Sequence, residues 1–144
     1  FGDMKIDGGV GVESGFDGIK ESCQQQEELG YDGLWVPETS HDPFTMLPLM
    51  AEATENVELG TGIVVGFARN PMDLAYSAND IQLISKGRFT LGLGSQIKPH
   101  ITKRFSMEWS KPAARMREMI LATKAIWNSW NTSKFEFDVL YRIV

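Results

Sequence analysis

The chain has 144 residues, 42% of them hydrophobic and 23% charged, and 14 Lys plus Arg against 19 Asp plus Glu give a net charge of −5. Those values belong to one globular domain and exclude a disordered or fibrous chain. The acidic surplus offers no footprint for nucleic acid, no apolar run reaches the ~18 residues of a membrane span, and the start lacks a basic-then-apolar signal pattern. The one cysteine, Cys23, can form neither an intramolecular disulfide nor a multi-cysteine zinc site, so a reducing cytoplasm is the expected location. Residues 1–3 precede Met4 and are expected to be a cloning remnant, with the folded domain at 4–130 and an extended apolar tail at 131–144.

Short β-branched runs alternate with longer stretches of helical period, the pattern of βα units feeding a parallel sheet. The first strand is expected at Met4 to Asp7, followed by a loop through Gly8, Gly9 and Gly11 and a helix from about Gly15 to Leu29, stopped by Gly30. Phe16, Ile19, Cys23 and Gln26 share one face of that helix, which makes Cys23 a packing residue. The second strand, Gly33 to Val36, is ended by Pro37, which has no N–H to give a ladder. Asp42 and Pro43 then read as N-cap and first position of a helix carrying Leu47, Met50, Ala51 and Thr54, with Pro48 placed to bend it.

The third strand spans Val57 to Val65 and is expected to break at Gly60 and Gly62. Asn70-Pro71 opens a third helix with Leu74, Ala78, Ile81 and Ile84 in one stripe, ended by Lys86-Gly87. The fourth strand, Phe89 to Gly94, leads into a polar loop from Ser95 to Lys111, long enough to suggest function. Pro112 starts the fourth helix, where Met116, Met119, Ile120, Thr123, Trp127 and Trp130 trace an apolar face, and Phe135 to Val144 reads as extended.

In parallel α/β architectures ligands gather at the carboxyl ends of the strands. That rule selects Glu38, Thr39, Ser40, His41 and Asp42 after strand two, Gly66, Phe67 and Arg69 after strand three, and Ser95, Gln96 and His100 after strand four. Both histidines can titrate near neutral pH or bind substrate. The competing reading makes His41 a helix-entry residue and Glu38 an ion-pair partner of Arg69 or Arg104. Glu38, His41, Asp42 and His100 lack any metal-binding spacing, so no metal is expected. Gly92 to Ser95 lacks the spacing of a phosphate loop.

Four segments taken together, Gly30-Tyr31-Asp32-Gly33-Leu34-Trp35-Val36-Pro37-Glu38, Leu59-Gly60-Thr61-Gly62-Ile63, Arg69-Asn70-Pro71 and Gly87-Arg88-Phe89-Thr90-Leu91-Gly92-Leu93-Gly94, resemble the luciferase-like monooxygenase family. The run Gln96 to Arg115 looks most like its deazaflavin (coenzyme F420) dependent branch. The resemblance implies a TIM-type (β/α) barrel, of which about four units are present, and hydride chemistry through F420 or FMN on a small organic substrate. It places Glu38 near the ring, a non-prolyl cis peptide at Gly62-Ile63, and Gly94 and Ser95 beside the ring's polar edge, with His41 and His100 as candidates for proton transfer. A whole barrel takes about 250 residues. Half a barrel leaves its first and fourth strands as open edges, so a homo-oligomer paired through them is expected. The opposing function is a catalytically silent half-barrel serving as an oligomerisation or interaction module.

Overall fold

The structure, a computed structural model, describes residues 4–11 and 16–132. Four βα units follow one another: β1 (Asp7–Gly9) and α1 (Ile19–Glu28), β2 (Gly33–Val36) and α2 (Pro43–Ala53), β3 (Glu58–Thr61) with β4 (Val64–Val65) and α3 (Pro71–Ile84), then β5 (Phe89–Thr90) with β6 (Leu93–Gly94) and α4 (Pro112–Thr132). β1, β2, β3 and β5 form a parallel sheet in that order, and β4 pairs with β6. This is the expected α/β class. The chain groups into two compact units: one runs through Val64 and takes in Asp80–Leu93, the other takes in Val65–Asn79 and the chain from Gly94 on.

In the first unit the register sets Gly8, Leu34, Leu59 and Phe89 in one row and Gly9, Trp35, Gly60 and Thr90 in the next. Alternation sends these rows to opposite faces. Leu34, Leu59 and Phe89 are buried, together with Ile19 and Cys23 of α1 and Met46, Leu47 and Met50 of α2. On the other row the Trp35 indole lies over Gly60, where a Cβ would collide with the ring, and its Nε1–H donates to Asp7 Oδ2 at 2.9 Å.

The strand boundaries depart from the sequence reading in three places. β1 is Asp7–Gly9 rather than Met4 to Asp7, because Gly8 and Gly9 are not loop but ladder, opposite Leu34 and Trp35. A Cβ on Gly8 would meet the Gln26 amide, which donates to the Gly9 carbonyl at 3.3 Å. Gly60 does not break β3; its missing side chain makes room for Trp35. The expected fourth strand is divided at Leu91-Gly92, where the Thr61 hydroxyl donates to the Gly92 carbonyl and accepts from the Gly92 N–H, both at 2.8 Å, and Val64 N–H donates to the same carbonyl at 2.9 Å.

Helix ends follow local chemistry. α1 begins at Ile19, later than expected, and ends in a Schellman motif: Gly30, at φ +86°, donates to Glu27 O, and Tyr31 N–H donates to Gln26 O. Asp42 Oδ1 caps α2 by accepting from Phe44 N–H at 3.0 Å, and the helix runs on through Pro48. Asn70 Oδ1 caps α3 through Asp73 N–H at 2.9 Å, and Lys86 and Gly87 close it with positive φ.

The C-terminal end of α2 and the turn into β3 are held by two charged side chains. Arg88 donates to the carbonyls of Ala51, Thr54, Val57 and Ser85 and to the Thr54 hydroxyl, all between 2.8 and 3.1 Å. Its guanidinium thereby satisfies carbonyls that a helix end leaves without partners. Glu27 accepts from the N–H groups of Glu55, Asn56 and Val57 at 2.6 to 3.1 Å. Burial pushes its pKa up, but the Asn56, Val57 and Glu55 amides and the nearby Arg88 more than reverse this, and the carboxyl titrates below its ordinary range.

In the second unit the buried side of α4 is Met119, Ala122, Thr123, Ile126 and Ser129. Ile120 and Trp130 are exposed, so the expected face is rotated. Trp127 is half-buried and donates from Nε1 to the Ala75 carbonyl at 3.0 Å; Trp130 stacks on Tyr76 at 5.5 Å between centroids. α4 reaches Thr132, so Asn131 and Thr132 are helical rather than extended tail. The rest of that tail, 133–144, and residues 1–3 lie outside the described residues.

Candidate functional site

In the first unit the candidate residues stand where β2 and β3 end. Pro37 stops β2, and the next residue, Glu38, is half-buried and donates its backbone N–H to the Ile63 carbonyl at 3.0 Å. Gly62 N–H donates to Val36 O at 2.9 Å. The Gly62–Ile63 peptide is cis, at the bond where the resemblance puts one. Glu38, Gly62 and Ile63 are therefore brought together at the ends of adjacent parallel strands, with Gly62 exposed and Ile63 half-buried.

His41 is exposed, and its ring packs edge-on against Phe16 with centroids 5.2 Å apart at 80°. Its neighbour Asp42, rather than His41 itself, makes the helix-entry hydrogen bond. Cys23 is buried, and desolvation with the nearby Glu27 pushes its thiol up to about 11, which makes it a packing residue and no nucleophile.

In the second unit Gly94, Ser95 and Gln96 leave β6 half-buried, and the Ser95 hydroxyl donates to the Gln96 carbonyl at 3.1 Å. Gln96 holds a positive φ of 57°. Its amide Oε1 lies 3.2 Å from Nδ1 of His100, the first residue of a π-helical turn, His100–Arg104, whose Ile101 is fully buried. Sequence reasoning put Gln96 and His100 in one loop but did not pair them. It also missed a cluster at the end of that loop. Phe67 is fully buried, Arg115 sets its guanidinium 4.3 Å above the Phe67 ring and donates to the Glu108 carbonyl at 2.6 Å, and Trp109 meets Phe67 edge-on at 5.7 Å. Nothing local marks Arg115, since its partner Phe67 is 48 positions away in the chain.

Among the described residues no three His, Cys, Asp or Glu side chains are grouped to hold a metal ion. No helix among them is long and apolar enough to cross a membrane.

Comparison with known proteins bears on the family and the fold. The family model of the luciferase-like monooxygenases matches residues 3–143. An uncharacterised Mycobacterium tuberculosis protein is 59% identical over 104 residues, 72% of this chain and 31% of its own length. The phthiodiolone/phenolphthiodiolone dimycocerosates ketoreductase of the same organism is 31% identical over 114 residues, 77% of this chain and 30% of the relative. The chain thus spans less than a third of the length of these curated relatives.

Among solved structures, monooxygenase RslO1 of Streptomyces bottropensis superposes with a TM-score of 0.77 at 26% identity, covering 86% of this chain and 43% of that one. Two others share the fold at lower identity. The FMN complex of the oxygenating constituent of 3,6-diketocamphane monooxygenase from Pseudomonas putida has a TM-score of 0.76 at 19%, covering 87% and 40%. The F420-dependent tetrahydromethanopterin reductase of Methanopyrus kandleri has 0.71 at 20%, covering 81% and 38%. With the parallel βα units and the strand-end geometry in place, these matches make the chain a member of the luciferase-like monooxygenase family.

Proposed function

We propose that this chain serves an oxidoreductase that moves a hydride through F420 or FMN, with a small organic molecule as substrate. In this reading Glu38, Gly62, Ile63, Gly94 and Ser95 contact the ring, and Glu38, His41 and His100 hold or move protons. The observation that carries it is the Glu38 N–H to Ile63 carbonyl bond, which ties the carboxylate-bearing loop to the end of β3. Support comes from the family, from an FMN-bound and an F420-dependent protein of the same fold, and from a relative named as a ketoreductase. Bound there, such a ring would supply the hydride-carrying atom; the chain's own groups orient it and manage protons. A cytoplasmic site of action belongs to the same reading, supported by the free thiol of Cys23.

The test is an equilibrium titration of the chain with F420 and, separately, FMN, followed by cofactor fluorescence. One of the two is expected to bind saturably, and Glu38→Gln to weaken it about tenfold, equivalent to about 1.4 kcal/mol. Saturable binding of neither at high micromolar concentration would refute the reading.

A second reading, a silent module that associates with a further copy of itself, is favoured by the sheet order: among the described residues β1 and β5 each have one neighbour in the four-stranded sheet. An uncovered strand edge is a template for pairing. Light scattering on the titrated sample separates the two readings, since a silent module associates without binding either cofactor.

A further inference from the structure

The loop after β6 contains an arrangement that the resemblance does not assign. Gln96 adopts φ 57°, in the left-handed region where a glycine would sit without strain and a residue with a Cβ rarely does. Non-glycine residues held there concentrate at functional positions, where side-chain chemistry outweighs backbone cost. Here the side chain has a specific partner: Gln96 Oε1 lies 3.2 Å from His100 Nδ1. Both ends of the contact are fixed by backbone. The Ser95 hydroxyl donates to the Gln96 carbonyl, His100 N–H donates to Ile97 O at 3.0 Å, and His100 O accepts from Phe105 N–H at 3.3 Å. The buried Ile101 anchors the turn that carries the imidazole.

An amide oxygen can only accept, so a hydrogen bond across this contact requires the hydrogen to sit on the facing ring nitrogen. A neutral imidazole has one N–H, so fixing it at Nδ1 leaves Nε2 with a bare lone pair. The His100 side chain is exposed, which leaves that lone pair open to a ligand. We propose that Gln96 is a positioning residue that holds His100 as the Nδ1–H tautomer and so presents Nε2 as a proton acceptor for a substrate hydroxyl. In that step the O–H proton passes to Nε2 and its bonding pair stays on the substrate oxygen. The reverse step returns the proton from the imidazolium to a substrate oxygen. The assignment of a hydroxyl or carbonyl substrate rests on the oxidoreductase reading above; the tautomer itself does not.

The experiment is long-range 1H–15N correlation NMR of the imidazoles in the uniformly 15N-labelled chain, at a pH above the ordinary histidine value of about 6.5. The sequence has two histidines, so His41→Gln assigns the His100 signals. The Nδ1–H form is expected to dominate in the unaltered chain and in Gln96→Glu, which keeps an acceptor oxygen. In Gln96→Leu and Gln96→Gly the population is expected to move at least fivefold toward Nε2–H, the form that free imidazole side chains prefer in water. Gln96→Gly also removes the unfavourable backbone conformation, so it keeps the test valid if the leucine variant misfolds. Equal tautomer ratios in the unaltered chain and Gln96→Gly would overturn the proposal, as would dominance of Nε2–H in the unaltered chain. These arms need no cofactor. Failure of the F420 and FMN titrations with the tautomer shift intact removes the redox reading alone, whereas the opposite pattern removes the Gln96 role alone.

Discussion

Glu27 sits in the last turn of α1, where a negative charge opposes the helix dipole, and yet its carboxylate gathers three N–H groups from the turn between α2 and β3. Removing it tests whether that turn, and with it the register of β3, depends on one side chain. A hydrogen bond to a charged acceptor contributes about 1.5–3 kcal/mol in mutational series. Here three donors share one half-buried carboxylate, and Glu55 and Asn56 lie in the open where water can replace it, while Val57 is buried. Glu27→Ala should therefore cost about 2–3 kcal/mol in total, and Glu27→Gln, which keeps an acceptor oxygen without its charge, about 1 kcal/mol.

Urea unfolding followed by circular dichroism measures this; with a slope of about 1–3 kcal/mol per molar, the alanine variant should lose about 1 M or more in midpoint. The pH dependence has a definite sign. The folded carboxyl titrates below its unfolded value of about 4.3, so its contribution is fully present above that value and is lost as pH falls through the lowered folded pKa. The gap between the unaltered chain and Glu27→Gln should be constant at pH values well above the ordinary carboxyl range and narrow as pH falls through the lowered folded pKa. An alanine midpoint equal to that of the unaltered chain at about pH 7, or a glutamine gap that widens rather than narrows as pH falls below the ordinary carboxyl value, would refute the reasoning.

Gly60→Ala should drive the Trp35 indole off the sheet, cost about 1–3 kcal/mol by overpacking, and shift tryptophan emission. Adding Trp35→Leu should recover part of that cost in the double variant, and strictly additive losses would count against a ring-over-glycine contact. Cys23 should react with an aromatic disulfide reagent at pH 8 about 100-fold more slowly in the native chain than in urea, as its buried, raised thiol requires. Equal rates would place the thiol at the surface.

Much of the fold was legible because its signals are local. The Asp42-Pro43 and Asn70-Pro71 starts, the Gly30 and Gly87 stops, and the ends of β2 depend on what neighbouring residues do to φ and to free N–H groups, and each stands where the pattern puts it. The misplaced features share a different cause. Gly8, Gly9 and Gly60 read as breaks by composition, but packing by Gln26 and Trp35 makes their missing side chains a condition of the strands. Arg88 lies in a segment that marks the family, but its role as the cap on the carbonyls of α2 is invisible until a partner 37 positions back is in place. Of the site, the residue types and their strand-end locations were readable, whereas the pairings Glu38 with Ile63 and Gln96 with His100 were not. The first joins two strands and the second depends on a backbone conformation that no residue preference announces.

By itself, then, the sequence determined the class of structure and the order of its four βα units, because alternation, helical period and capping act over a few residues, while the family was marked by the resemblance of four short motifs. Tertiary structure alone decided the sheet register, the face that α4 buries and the chemistry open to each polar side chain. The first two depend on contacts between residues distant in the chain, and the contact of the Gln96 amide oxygen with one imidazole nitrogen, or of three amides with Glu27, exists only once the backbone has brought the two sides within reach.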